Sequence, residues 1–176
     1  MFESFYKVHC GGFKKSLHVD QIHGIWYYSF RTEQNTRYLV EVEHYLHDFY
    51  VVQYYTTKYK NHPKKFQILT NEHNCRKIVG TCVRIMYSIW EKNPTASFGF
   101  IGANTYDPET GNEEPVNNTQ RWKIYKHAME QNFGPETFAH GAQSFNSRYV
   151  MLNKKKDVVK LNNEINKFFE ANYDKA

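Results

Sequence analysis

No stretch of the chain carries the ~18 consecutive apolar residues that a membrane-crossing helix needs, so the sequence contains no span of that kind. The opening residues MFESFYKVHCGG lack a basic region followed by an apolar core, and no secretory signal is expected. Cysteine is scarce: Cys10, Cys75 and Cys82 are the only three. An odd count without framework spacing speaks against a disulfide scaffold and leads to the expectation of free thiols in a reducing cytoplasm. No Cys-x-x-Cys or His-x-x-x-His pair supplies a zinc spacing, and no metal or other cofactor is expected. A nucleophile elbow, a phosphate loop and paired catalytic carboxylates are missing too, which removes the common enzyme signatures. Internal repeats, low-complexity tracts and domain linkers are likewise absent.

What is present is an ordinary globular composition, with 40% hydrophobic and 23% charged residues in a 176-residue chain. That length fits one domain with a real core. Aromatic residues reach 17%, with 14 Tyr and 13 Phe. Tyrosine covers a half-exposed sheet while its hydroxyl stays wet. An aromatic sheet is also the stacking platform of single-strand nucleic-acid binders. The net charge of +5 and pI near 9.0 permit an acidic partner without requiring one.

Period-two patterning over Gly24–Arg31, Thr36–Tyr45 and Phe49–Tyr59 predicts three antiparallel strands with short connections. Lys64–Leu69 is a candidate fourth strand, and Phe5–His9 an earlier one. Ile78, Val79, Cys82, Ile85, Met86, Ile89 and Trp90 recur at helical spacing, so Asn74–Trp90 reads as a long amphipathic helix lying on the sheet. Asn71 or Asn74 is expected to cap it, and Asn93-Pro94 to end it. Ala96–Tyr106 is strand-like, with Gly99 and Gly102 weakening it or allowing close approach. TyrAspProGluThrGly, 106–111, predicts a hairpin tip; its interrupted oxygen series disfavours calcium. A second helix spans Thr119–Phe133 and stops at Gly134 in a left-handed position. Phe138 onward reads as a loop feeding a strand at Arg148–Leu152, and the chain ends in a helix striped by Val158, Leu161, Ile165, Phe168 and Phe169. The fold class is therefore α+β, a single domain over 1–176: an antiparallel aromatic-rich sheet packed against the long helix, with two further helices and a late strand.

Arg121 stands six residues before His127, a spacing found at the cleavage site of some helical ribonucleases. With six Arg and nine His, about one such match is expected by chance. Six helical steps also separate the two side chains by about 120° around the axis and about 9 Å along it. The spacing therefore does not converge on one phosphate, and Arg121 reads better as a clamp paired with Glu113 or Glu114. His9, Cys10, His73 and Cys75, and His44 with His47 and Asp48, are candidate metal ligands, but no zinc spacing supports them. Cys75 in the first turn of a helix is expected to have a lowered pKa.

Two further constellations carry chemistry. Ala139–Tyr149 gathers His140, Ser144, Ser147 and Arg148; His140 suits a base and Arg148 an anion holder, with Arg121 as a possible third member of an RNA- or nucleotide-directed enzyme. A loop bonded to itself is equally consistent. The basic clusters are Lys58–Lys65, Lys154–Lys156 and Lys14-Lys15. Lys58, Lys60, Lys64 and Lys65 interleave with Tyr55 and Tyr59, as on a nucleic-acid or partner surface; a solvated rim is the bland alternative.

The order of strands, long helix, AsnProThrAlaSerPheGlyPheIleGlyAla (93–103) and the Arg-x-x-x-Tyr helix at 121–125 resembles uncharacterised small bacterial proteins known only as domains of unknown function. The resemblance covers Tyr27 to Leu152. It implies a cytoplasmic accessory protein of mobile or defence-related genes, with a toxin–antitoxin or phage-defence setting, and it makes Arg121 and Tyr125 part of a recurring feature. It transfers no catalytic residue. The expectation is thus a non-enzymatic binding or regulatory module whose partner is nucleic acid or protein. The alternatives are the enzyme built on His140, Arg148 and Arg121, and a structural homodimer subunit.

Overall fold

The computed structural model describes residues 4–16, 22–143 and 146–173. Seven strands form one sheet: β1 (His9–Lys15), β2 (Ile22–Arg31), β3 (Arg37–Tyr45), β4 (Phe49–Thr56), β5 (Ser97–Ile101), β6 (Phe138–Gln143) and β7 (Arg148–Asn153). Their order is β1-β2-β3-β4-β5-β7-β6. Every neighbouring pair is antiparallel except β4 and β5. A parallel pair needs a long crossover, and α1 (Cys75–Lys92) lies within it.

The α+β architecture follows from two apolar faces. Tyr38, Val40 and Val42 alternate along β3 onto one face, where α1 covers them. Ile78, Ile85 and Ile89 of α1 are only 4%, 2% and 8% exposed, as the helical stripe requires. The second helix, α2 (Gln120–Asn132), joins this layer through Trp122, Tyr125, Ala128 and Met129. On the opposite face α3 (Val158–Tyr173) buries Leu161, Ile165 and Phe169 against Phe49, Val51, Val150 and Leu152. The sheet is thus covered on both sides.

Several sequence expectations are corrected. Lys64–Leu69 is not a strand; Ile68 makes one isolated bridge to Tyr106, and the rest of the segment turns. The first strand lies at His9–Lys15 rather than Phe5–His9, because Tyr6 is occupied elsewhere: its N–H donates to Thr81 Oγ1 on α1 at 2.9 Å. Phe138–Gln143, read as loop, is the edge strand β6. Gly134 does not take a left-handed conformation; α2 ends at Asn132 with Phe133 already extended.

Other local readings hold. Asn93 is extended and ends α1 before Pro94. Gly102 permits a close approach, since a Cβ there would sit 2.6 Å from Trp122 Cβ. The turn at 107–111 closes with Gly111 N–H donating to Asp107 O at 2.8 Å, and Gly111 has φ +73°. A glycine tolerates that angle without strain.

Candidate functional site

The seam between β4 and β5 is short. Only Phe49, Tyr50 and Val51 pair with Ser97, Phe98 and Gly99. β4 then runs on to Thr56 while β5 ends at Ile101, and the two part. Beyond the carboxyl ends of parallel strands, at the point where connections diverge, a sheet leaves a natural crevice for a ligand. Here a cavity of about 250 Å³ opens between Tyr38, Tyr54 and Thr56 of the sheet, the start of α1 and the first turn of α2.

Arg121 enters this cavity from α2. Its guanidinium donates to the carbonyls of Phe66 and, at 2.7 Å, Ile68, and lies 5.8 Å from the Tyr54 ring centre. The clamp expected at this residue therefore exists, but its partners are carbonyls of the 57–74 strap rather than an acid. Glu114 is occupied by the N–H groups of Thr105 and Gln120, at 3.0 and 2.8 Å. Glu113 takes Lys64 and Asn104. Among the described residues no carboxylate forms an ion pair with Arg121.

The start of α1 supplies further donors. Asn74 is the N-terminal flanking residue, yet its side chain makes no capping bond. Its amide instead donates to Tyr6 Oη and Glu72 Oε2, each at 3.0 Å. The first helical N–H groups have no intrahelical acceptor, and their alignment gives this end a partial positive charge. Asn71 and His73 hold φ of +52° and +53°, left-handed angles that cost energy in non-glycine residues. At the end of β4, Thr56 is 4% exposed and its Oγ1 has no hydrogen-bond partner.

The thiol and phenols around the cavity hold their protons, and Glu72 also lines it, accepting from Asn74. Burial pushes Cys75 up, and Arg121 offsets this only in part, so the expected low-pKa thiol is not found. Burial raises Tyr38 to about 12 despite its bond to Thr70 Oγ1 at 2.9 Å. Tyr54 and Tyr125 are raised mainly by desolvation, with Arg121 pulling the other way. A fixed guanidinium, open backbone N–H groups and a spare hydroxyl are donors. No activated nucleophile stands beside them.

Part of the basic cluster is held in ion pairs. Lys65 Nζ is 3.2 Å from Glu41 Oε1 and 4.0 Å from the Tyr55 ring centre. Tyr55 is 4% exposed and donates its hydroxyl to the same Glu41 oxygen at 2.7 Å. Lys64 pairs with Glu113 and lies 4.6 Å from the Tyr106 ring centre. Lys58 and Lys60 are exposed, and Lys58 lies 5.0 Å from the Tyr59 ring centre. The Tyr55 ring is therefore not open for stacking in this arrangement.

His140, Arg148 and Arg121 are not brought together. His140 is opposite Met151 on the α1–α2 face, whereas Arg148 lies over Phe169 of α3, 4.9 Å from its ring centre. The sheet separates them. His140 Nδ1 is 2.7 Å from Tyr149 Oη and Nε2 is 3.0 Å from the Phe133 carbonyl. A carbonyl only accepts, so Nε2 carries the proton and Nδ1 accepts from Tyr149. Ser147 is a buried link, donating to Val116 O and accepting from Thr119 N–H at 2.9 and 3.1 Å. Ser144 lies outside the described residues. His127 is exposed on an unbroken α2. His47 pairs with Glu164 at 3.1 Å while His44 faces Asp48 at 3.7 Å. Among the described residues no three His, Cys, Asp or Glu side chains gather as a metal site.

Sequence reasoning singled out Arg121 but missed Thr56 and the uncapped α1. Thr56 carried no pattern, and Asn74 looked like an ordinary cap. Comparison of the chain with known protein families, with curated proteins and with solved structures returns no match.

Proposed function

We propose that this chain is a binding module for a small phosphate-bearing ligand, seated where β4 and β5 part. One observation carries the reading: Arg121, a cation with no carboxylate partner among the described residues, lines the same cavity as the uncapped start of an 18-residue helix. A guanidinium fork and helix N–H groups recognise the same oxyanion geometry. The cavity lacks an activated base or thiol, which favours holding over turnover. Its about 250 Å³ suits a small molecule rather than a nucleic-acid strand, and the buried Tyr55 with Lys65 paired to Glu41 points the same way. The regulatory role expected from the sequence fits a module whose strap, residues 57–74, hangs on the residue that meets the ligand.

Thermal unfolding with inorganic phosphate, pyrophosphate and a single-stranded oligonucleotide tests this. Saturation at a hundredfold over Kd is expected to stabilise the fold by about 2.7 kcal/mol. Pyrophosphate is expected to raise Tm in the native chain and not in Arg121→Met. A response to oligonucleotide alone, lost in Lys58→Glu with Lys60→Glu and kept in Arg121→Met, would return the function to the basic surface.

A further inference from the structure

A second cavity, about 240 Å³, adjoins the first, and both are bordered by Thr56 and by the loop Leu69–Glu72. Their linings differ in charge: Glu72 borders both, the first adds Arg121, Lys65 and the positive end of α1, and the second adds Asp107, Glu109 and Lys58, with Tyr59 beside them. Either volume alone falls below the ~300–1,000 Å³ usual for a small-molecule site, and the two combined fall within it. Thr56 Oγ1 stands at their shared wall, buried and without a partner. An unsatisfied buried hydroxyl costs about 1–3 kcal/mol, so its persistence at a junction of cavities needs a use.

Building on the phosphate site proposed above, we infer that the ligand is bipartite: a phosphomonoester whose body bears hydroxyl or amine donors, as a sugar phosphate or nucleoside phosphate does. The phosphate sits at Arg121 and the Cys75 and Arg76 N–H groups. The body passes Thr56 Oγ1 and presents its donors to the carboxylates of the second cavity. Asp107 already accepts from Glu109 N–H and Thr110 Oγ1, at 2.9 and 2.8 Å. Glu72 accepts from Asn74. Glu109 is the acid whose side chain holds neither bond, and it is the residue that separates a donor-bearing body from a plain one.

Calorimetric titration of the full chain with inorganic phosphate, methyl phosphate, ribose 5-phosphate and adenosine monophosphate separates the outcomes. The inference expects ribose 5-phosphate or the nucleotide to bind at least about tenfold more tightly than methyl phosphate, a gap of about 1.4 kcal/mol. That gap is expected to close in Glu109→Gln while the affinity for inorganic phosphate stays unchanged, and to narrow in Thr56→Val. Thr56→Val removes an unpartnered hydroxyl, so its Tm is expected at or above that of the native chain, which guards against misreading a folding defect. Which of the two donor-bearing ligands binds better decides between sugar and nucleoside. Equal binding of methyl phosphate and both larger ligands overturns the bipartite inference and leaves the anion site standing. No binding of any of the four overturns both.

Discussion

The two ends of β4 differ in almost every respect. At its start, Phe49–Val51 is zipped to β5 and buried between α1 on one face and α3 on the other. At its end, Tyr54–Thr56 has lost that neighbour, and the space holds Arg121, phenols and an unpartnered hydroxyl. The first end is packed on both faces, although left-handed His47 and Asp48 lead into it and the Nε2 of His44, stacked on Tyr50, lacks a hydrogen-bond partner. The second departs from the rules of a stable core in several respects: a helix without a side-chain cap, left-handed Asn71 and His73, and a buried hydroxyl with no partner. Departures from local consistency concentrate where a protein does something other than fold. The packed core lies at one end of a single strand and the proposed binding site at the other.

Substitutions at the two ends are therefore expected to separate stability from binding. The largest effect belongs to the zipped end. Phe98→Ala removes a fully buried ring and is expected to lower unfolding free energy by about 3–5 kcal/mol in urea titration. Gly99→Ala comes next. Its new Cβ would meet Phe49 Cζ at 2.5 Å, and overpacking of this kind costs about 1–3 kcal/mol. Inorganic phosphate affinity is expected to survive Gly99→Ala under conditions where the variant is folded. At the open end the order reverses. Arg121→Met leaves the Phe66 and Ile68 carbonyls without this donor, so its stability loss is expected at about 1–3 kcal/mol while phosphate binding disappears. Hydrogen exchange of residues 62–70 is expected to quicken in that variant, since Arg121 holds the strap at Phe66 and Ile68.

The smallest effect is a pH dependence set by His44, stacked on Tyr50 of the zipped end, and by His140 on β6. Burial lowers the pKa of His44 and of His140 below the ordinary histidine value. The unfolded chain therefore takes up protons before the folded one does. Stability is full above the unfolded pKa, near 6.5, and declines as pH falls from there through the folded values. Tm measured from pH 7.5 to pH 5 is expected to drop, with a shallower slope in His140→Gln. A flat profile would contradict the burial of these rings.

The contrast also explains what the sequence disclosed. Apolar periodicity is written by burial, so α1 was legible from Ile78, Cys82, Ile85 and Ile89, and β3 from Tyr38, Val40 and Val42. β6 was not, because PheAlaHisGlyAlaGln has little strand propensity and exists as a strand only by pairing with β7. Lys64–Leu69 failed in the opposite sense: its apolar residues looked like a strand, but its carbonyls at 66 and 68 answer to Arg121. Arg121 was recognisable as a clamp from its place on the helix. Its partners were not, since they lie more than fifty residues away. The parting of β4 from β5 depends on where a crossover returns, and no local pattern records that. The crevice could be seen only once the strands were in place.

Amide mapping by nuclear magnetic resonance during titration with inorganic phosphate tests the open end most directly. The account predicts the largest shifts at the backbone N–H groups of Cys75 and Arg76, accompanied by the Arg121 Nε–H resonance and absent in Arg121→Met. Shifts confined to Lys58 and Lys60, or spread evenly over the basic surface, would contradict it.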